Sequence, residues 1–218
     1  IGESPKVMAP VGDRPFLDLI LEHLGKQGFR RIILLTGYKA QEIEHYYGKR
    51  ESKLTIESSR EDKPLGTGGA LKNASRMIKS NPFVALNGDS FCPLDYKRFL
   101  GFHFERKAWA SVVLSEPLQR DDVGMVIMDE SQRILDFQEK PQTPGTQVLG
   151  SYVNCGIYCF PQDIFPCMLQ VESFSLEHDL LDSLAQKRRL HGFVAQEGFF
   201  DIGTPQRYQE ANRIFKKG

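Results

Sequence analysis

The chain has 218 residues, 40% of them hydrophobic and 26% charged, which is ordinary globular material with enough apolar side chains for one sizeable core. Its 28 basic and 28 acidic residues cancel, so no overall field recruits nucleic acid or an anionic membrane surface, and any anionic ligand must be held by a few local groups. No apolar stretch approaches the length of a membrane span and no basic-then-apolar leader opens the chain, so a cytoplasmic location is expected. Cys92, Cys155, Cys159 and Cys167 form no CxxC pair and have no histidine at zinc-finger spacing, and they read as reduced, packed thiols.

In chain order, Asp13-Arg14-Pro15 offers a capping acid and a first-turn proline to a helix whose Phe16, Leu17, Ile20, Leu21 and Leu24 repeat at helical spacing until Gly28. Residues 31–36 (RIILLT) form an apolar strand, 41–47 a short helix and 54–58 a weaker strand. Pro64-Leu65-Gly66-Thr67-Gly68-Gly69 leads into a helix over 70–78. Residues 83–90 (FVALNGDS) then read as a buried parallel strand that delivers Asp89 to its carboxyl end, where ligands gather in open α/β sheets. Asn87-Gly88 is also a strong hairpin signal, but a helical stretch over 95–107 follows, which makes the connection a crossover.

The middle third is strand-rich: 109–114, a pair at 125–128 and 134–137 around Asp129-Glu130, and 153–160. Helices at 161–169 and 176–187, a strand at 190–195 and a helix over 205–215 complete the chain. Alternating β and α elements predict an α/β fold with a mostly parallel mixed sheet, helices on both faces and a small antiparallel β insertion, in a single domain over 1–218.

Several stretches carry chemistry. The glycines of Leu65 to Leu71 (LGTGGAL) put free backbone N–H groups at a helix start, suited to a nucleotide base or an anion, or equally to a plain glycine-rich connection. It is neither a P-loop nor a GxGxxG loop. Lys6 sits in a proline-flanked apolar segment and by itself reads as an exposed loop lysine. Lys140, in Glu139-Lys140-Pro141, follows a strand end, where a lysine either meets phosphate as a point charge or belongs to a solvated turn pair. Asn154 is a polar side chain inside an apolar strand, so it needs partners, which either a polyhydroxyl ligand or the neighbouring backbone supplies. Glu177 and Asp179 open a helix, where acids favour the dipole without any other role. Asp201, before the helix start at Gly203-Thr204-Pro205, reads alone as a simple loop acid, but it is a second carboxylate at a strand-to-helix junction, and two such acids at one sheet edge suit Mg2+.

Taken together, PKVMAPV at 5–11 with RPFLD after it, LGTGGAL at 65–71, NGDS at 87–90, EKP at 139–141, NCGIY at 154–158 and DIGTP at 201–205 resemble the sugar-1-phosphate nucleotidylyltransferases over nearly the whole chain. The resemblance implies a Rossmann-like fold and substrates that are a nucleoside triphosphate and a sugar 1-phosphate, with no nucleic acid or membrane partner and a homodimer as the candidate assembly. It implies that Lys6 contacts the phosphates at the reacting centre and that Asp89 and Asp201 hold Mg2+. Glu61, Leu65, Gly66, Thr67 and Gly69 would read the base, with Asn87 and Gly88 beside the nucleotide. Lys140 would bind the phosphate of the sugar 1-phosphate, and Gly124, Glu139 and Asn154 the sugar.

Two departures stand out. The family's opening strand and GGxGTRL loop do not precede the PK segment, and the missing methionine at Ile1 favours a polypeptide in which they lie upstream. Val123 stands before Gly124 where many relatives carry an aromatic residue. The compact length looks most like guanylyltransferases acting on D-glycero-α-D-manno-heptose 1-phosphate with GTP. Mannose, glucose or N-acetylmuramate 1-phosphate with GTP, dTTP or UTP is the alternative, as is a non-catalytic sugar-nucleotide-binding subunit.

Overall fold

The structure, a computed structural model, describes residues 4–49, 52–116, 125–138 and 151–215. In chain order the elements are β1 (Pro10–Val11), β2 (Arg14–Pro15), α1 (Phe16–Lys26), β3 (Arg31–Thr36), α2 (Ala40–Gly48), β4 (Thr55–Arg60), α3 (Gly66–Asn73), β5 (Phe83–Leu86) and β6 (Ser90–Phe91). They continue with α4 (Tyr96–Glu105), β7 (Ala110–Ser115), β8 (Met125–Met128), β9 (Ile134–Gln138), β10 (Ser151–Phe160), α5 (Asp182–Gln186), β11 (Leu190–Val194), β12 (Phe200–Asp201) and α6 (Pro205–Phe215). The fold is α/β with a mixed central sheet, as its alternating elements predict. The chain divides into two compact units, one of residues 1–64, 87–93 and 199–218, the other of 65–86 and 94–198.

In the first unit β3 and β4 pair in parallel from Arg31↔Thr55 to Thr36↔Arg60. β1 and β2 form a hairpin across Gly12 and Asp13, with Val11 opposite Arg14 and Gly12 at φ +69°. This corrects the expected helix cap: Asp13 is a turn residue, because a glycine in the left-handed region closes a two-residue hairpin, and α1 starts only at Phe16. Phe16, Leu17, Ile20, Leu21 and Leu24 are buried, as their spacing requires. β3 differs from a fully buried strand in that Leu35 is 42% exposed.

In the second unit β10 is the organising strand. One edge pairs antiparallel with β7, and β11 joins β7 in parallel. Its other edge pairs with β8 through Ser151–Val153 and with β5 through Ile157–Phe160. β9 completes the sheet beside β8. β5, β7, β8 and β11 therefore run one way, while β10 and β9 oppose them. Continuous apolar sequence in β7 follows from this central place: all six of its residues are buried. Ala110, Val112, Leu114, Tyr158, Phe160 and Leu190 anchor a core shared with Leu181 and Leu184.

Three further expectations are revised. The strand at 83–90 stops at Leu86, and only Phe83 in it is buried. The 161–169 helix is a 3-10 turn over Gln162–Cys167, with Pro166 inside it. The 176–187 helix opens with a π-type turn over Leu176–Leu181 before α5. All four cysteines are free, three of them buried, and burial pushes the Cys159 thiol up to about 12. No helix among the described residues is long and apolar enough to cross a membrane.

Candidate active site

In the first unit the two predicted acids come side by side. β6 and β12 pair antiparallel with Ser90 opposite Asp201, and Ile202 N–H donates to the Asp89 carbonyl at 3.0 Å. β6 therefore pairs with a strand far away in sequence, which excludes the hairpin at Asn87-Gly88. An aromatic cluster underpins the pair: Phe91 and Phe200 each make an edge contact with Phe215 of α6, at 5.8 and 5.7 Å, and His23 of α1 meets Phe91 at 5.6 Å.

Each carboxylate is met by a cation. Lys6 lies in a 3-10 turn (Lys6–Met8), and its Nζ is 2.5 Å from Asp89 Oδ2, so it is no free loop lysine. Val7, beside Lys6, packs close to Gly88, where a Cβ would stand 3.2 Å from Val7 Cγ1. Asp201 is 8% exposed; its Oδ1 accepts from Gly203 N–H and from Arg207 Nη1, both at 2.8 Å. A side chain at Gly203 would intrude on that bond, its Cβ falling 2.8 Å from Asp201 Oδ1. Sequence reasoning missed Arg207. The available signal was a cation in the first turn of α6, where the helix dipole disfavours it.

Carboxylates are hard oxygen donors of the kind Mg2+ takes, and the backbone segments that carry these two are joined across β6 and β12. No cluster of three or more His, Cys, Asp or Glu suited to a metal occurs among the described residues. A divalent ion here would complete its shell with phosphate oxygens and water, which is the usual state of protein-bound Mg2+. Glu61 follows β4 directly, and its carboxylate packs over Gly37, where a Cβ would lie 2.5 Å from Oε1.

In the second unit the glycine-rich stretch begins α3 itself. Its glycines serve packing: a Cβ on Gly66, Gly68 or Gly69 would lie 2.5 Å from the Phe174 carbonyl, 2.2 Å from the Phe174 ring or 2.4 Å from the Glu172 carbonyl. The N–H groups of Gly68 and Gly69 donate to the Phe174 carbonyl, at 3.0 and 3.4 Å, and Phe174 N–H donates back to Leu65 O at 3.0 Å. This corrects the expectation of free N–H groups at those two glycines, since a neighbouring segment has taken them. Leu65 is buried and Thr67 exposed.

Asn154 lies where β10 bulges, between the pairs Asn154↔Leu114 and Tyr158↔Val112, with Gly156 at φ +68°. Its Oδ1 accepts from Gly156 N–H at 2.9 Å and its Nδ2 donates to Tyr158 Oη at 2.8 Å. Backbone and a neighbour thus supply partners that a ligand was one candidate to give. Asp179 keeps its expected local role, accepting from Ser175 N–H at 2.8 Å. Glu177 does not: Tyr158 Oη and Thr67 Oγ1 donate to its carboxylate at 3.2 and 2.8 Å. Gly124, Glu139 and Lys140 lie outside the described residues.

With its acids joined across β6 and β12, the chain belongs to the nucleotidyl transferase family, which it matches over residues 2–218. It is 37% identical over 213 residues to the D-glycero-alpha-D-manno-heptose 1-phosphate guanylyltransferase of Aneurinibacillus thermoaerophilus, covering 98% of this chain and 90% of that one. To the Campylobacter jejuni enzyme of the same name it is 33% identical over 208 residues, covering 95% and 89%. Among solved structures it is similar to HddC from Yersinia pseudotuberculosis, with a TM-score of 0.85 and 32% identity over 99% of this chain and 92% of that one. HddC complexed with GMP-PN gives a TM-score of 0.82 at 31% identity, over the same shares of the two chains.

Proposed function

We propose that the protein is a guanylyltransferase that couples a sugar 1-phosphate, D-glycero-α-D-manno-heptose 1-phosphate, to GTP, releasing pyrophosphate. The observation that carries this reading is the paired constellation Lys6–Asp89 and Arg207–Asp201 on two hydrogen-bonded strand ends. The named relatives, matched over nine-tenths of their length, support the substrate choice.

The reaction is an in-line displacement. A phosphate oxygen of the sugar 1-phosphate forms a bond to the α-phosphorus as the bond from that phosphorus to the bridging oxygen of pyrophosphate breaks. The nucleophile is already ionised, so no general base or covalent intermediate is needed, and the protein's work is alignment and charge neutralisation. Lys6 supplies a point charge to the phosphates. Asp89 and Asp201 hold Mg2+, which when bound neutralises phosphate charge and orients the triphosphate. Lys140 holds the sugar phosphate, and Glu139, Gly124 and Asn154 the sugar. Leu65, Gly66, Thr67 and Gly69 shape the base pocket, with Asn87 and Gly88 beside the nucleotide.

Glu61 favours guanine on chemical grounds. An ionised carboxylate only accepts, and guanine offers neighbouring N1–H and N2–H donors, whereas uracil and thymine offer one N–H between two acceptors. The chain would act in the cytoplasm as one nucleotidyltransferase domain over 1–218, with a homodimer as the candidate assembly.

The test is pyrophosphate release by the full polypeptide across a panel of sugar 1-phosphates and nucleoside triphosphates with Mg2+. Turnover is expected with GTP and the heptose 1-phosphate and is lost on chelation, in Asp89→Ala and in Asp201→Ala. Silence across the panel, or either variant at full rate, refutes the assignment.

A further inference from the structure

We propose that Glu177 and Tyr158 form a positioning relay that ties the glycine-rich start of α3 to the β10 bulge carrying Asn154, so that the two segments respond as one. The relay rests on the reading above, in which those segments contact the base and the sugar.

The direction of every bond is fixed. Gly156 N–H donates to Asn154 Oδ1, which orients the amide and aims Nδ2 at Tyr158 Oη. Tyr158 is 1% exposed, and burial, with the Glu177 charge next, raises its phenol well above its ordinary value, so it stays protonated. It donates that proton to Glu177 Oε1 at 3.2 Å. From the other side, Thr67 Oγ1 donates to Glu177 Oε2 at 2.8 Å and, its own proton engaged, accepts Leu176 N–H at 2.8 Å. Ser175 Oγ adds a weaker bond to Oε2 at 3.3 Å. One carboxylate thus ends two donor chains, one from the strand bulge and one from the glycine-rich start of α3. Only a group with acceptors on both oxygens can do so; an amide would turn an N–H2 toward one arm.

A local capping role does not account for Glu177. The turn it belongs to is already capped: Ser175 Oγ accepts His178 N–H at 3.2 Å and Asp179 Oδ2 accepts Ser175 N–H at 2.8 Å. Tyr158 is sealed in the core, and its hydroxyl reaches α3 through Glu177 and Thr67, while its ring shares the core with Phe174; deleting the hydroxyl alone separates the two routes.

The experiment uses the full chain with Tyr158→Phe, which keeps the ring and deletes the hydroxyl, and Glu177→Gln as the second variant. Amide hydrogen exchange is read without ligand, then GTP affinity by titration and KM for the sugar 1-phosphate against kcat. In Tyr158→Phe, exchange should rise about tenfold at residues 66–69 and 174–177 as well as at 154–158, and GTP affinity and sugar KM should both worsen by a similar factor with kcat changed less. Glu177→Gln should reproduce the pattern. Exchange confined to 154–158, or GTP affinity untouched while the sugar KM rises, overturns the relay. A wild-type chain silent across the substrate panel refutes the proposed function instead, and the exchange measurement then decides the relay alone.

Discussion

Arg207 donates to Asp201 at 2.8 Å from the first turn of α6, with the arginine side chain 15% and the carboxylate 8% exposed. A guanidinium in a first turn is disfavoured by the helix dipole, and the carboxylate it meets offsets that cost.

Replacing Arg207 with Met should therefore destabilise the metal-free protein by about 3 kcal/mol, the range for breaking a buried ion pair on one side. The Lys6–Asp89 pair is 38% and 35% exposed at its side chains, and Lys6→Met should cost ~1 kcal/mol or less while removing most turnover. Thermal unfolding with and without Mg2+ checks both, and Mg2+ should raise the midpoint of Arg207→Met by more than that of the wild type. An equal rise in the two proteins would show that Arg207 does not shield Asp201.

How far the sequence reveals this site depends on residue spacing. Asp89 and Asp201 were legible because each ends an apolar stretch before a turn. Arg207 was not, because its partner lies six positions away around a helix start. β12 has two residues and β6 two, too few for periodicity to show, so the pairing that joins the acids could not be read. The same limit hides the β1–β2 hairpin, in which Asp13-Arg14-Pro15 reads as a helix entry.

Packing overrode propensity in α3. Glycine disfavours helices, and the sequence predicts a helix only from residue 70, yet α3 starts at Gly66, with Phe174 and the Glu172 carbonyl standing where side chains at these glycines would be. Gly68→Ala should destabilise by about 2 kcal/mol through overpacking against that ring. Combining it with Phe174→Leu should recover part of the loss, as urea titrations of the single and double variants would show. Additive costs would mean the ring is not the obstacle.

Glu61→Gln should erode base choice. A glutamine can donate as well as accept, so discrimination between GTP and UTP in kcat/KM should fall by about tenfold or more, mainly through weaker GTP use. Competition assays with both nucleotides present give the ratio directly. An unchanged ratio would remove Glu61 from the base-reading set.

Acid should weaken the fold in a defined window. Burial, then the neighbouring His191, lowers the His103 imidazole below its ordinary 6.5, and burial followed by Arg133 and Arg106 lowers His191, with Asp129 opposing. The unfolded chain thus takes up protons near pH 6.5 that the folded chain refuses, so stability is greatest above that value and falls as the pH drops below it. The lowered carboxyls of Glu22 and Asp129 act only as the pH falls through their ordinary 4.5 and 3.8 and further, outside this window. Urea midpoints at several pH values should show the decline, and His103→Gln, which can still bond Ser111, should flatten it. An unchanged slope would exclude His103.

β10 carries two neighbours in succession on one edge, β8 along Ser151–Val153 and β5 along Ile157–Phe160, and the bulge falls between them. Such a strand behaves like a spliced beam. The β8–β9 hairpin stands on three residues of one half and sends Val126, Ile134 and Phe137 into the core, while the other half holds β5 in register, so a load on either side of the bulge is carried by a different partner.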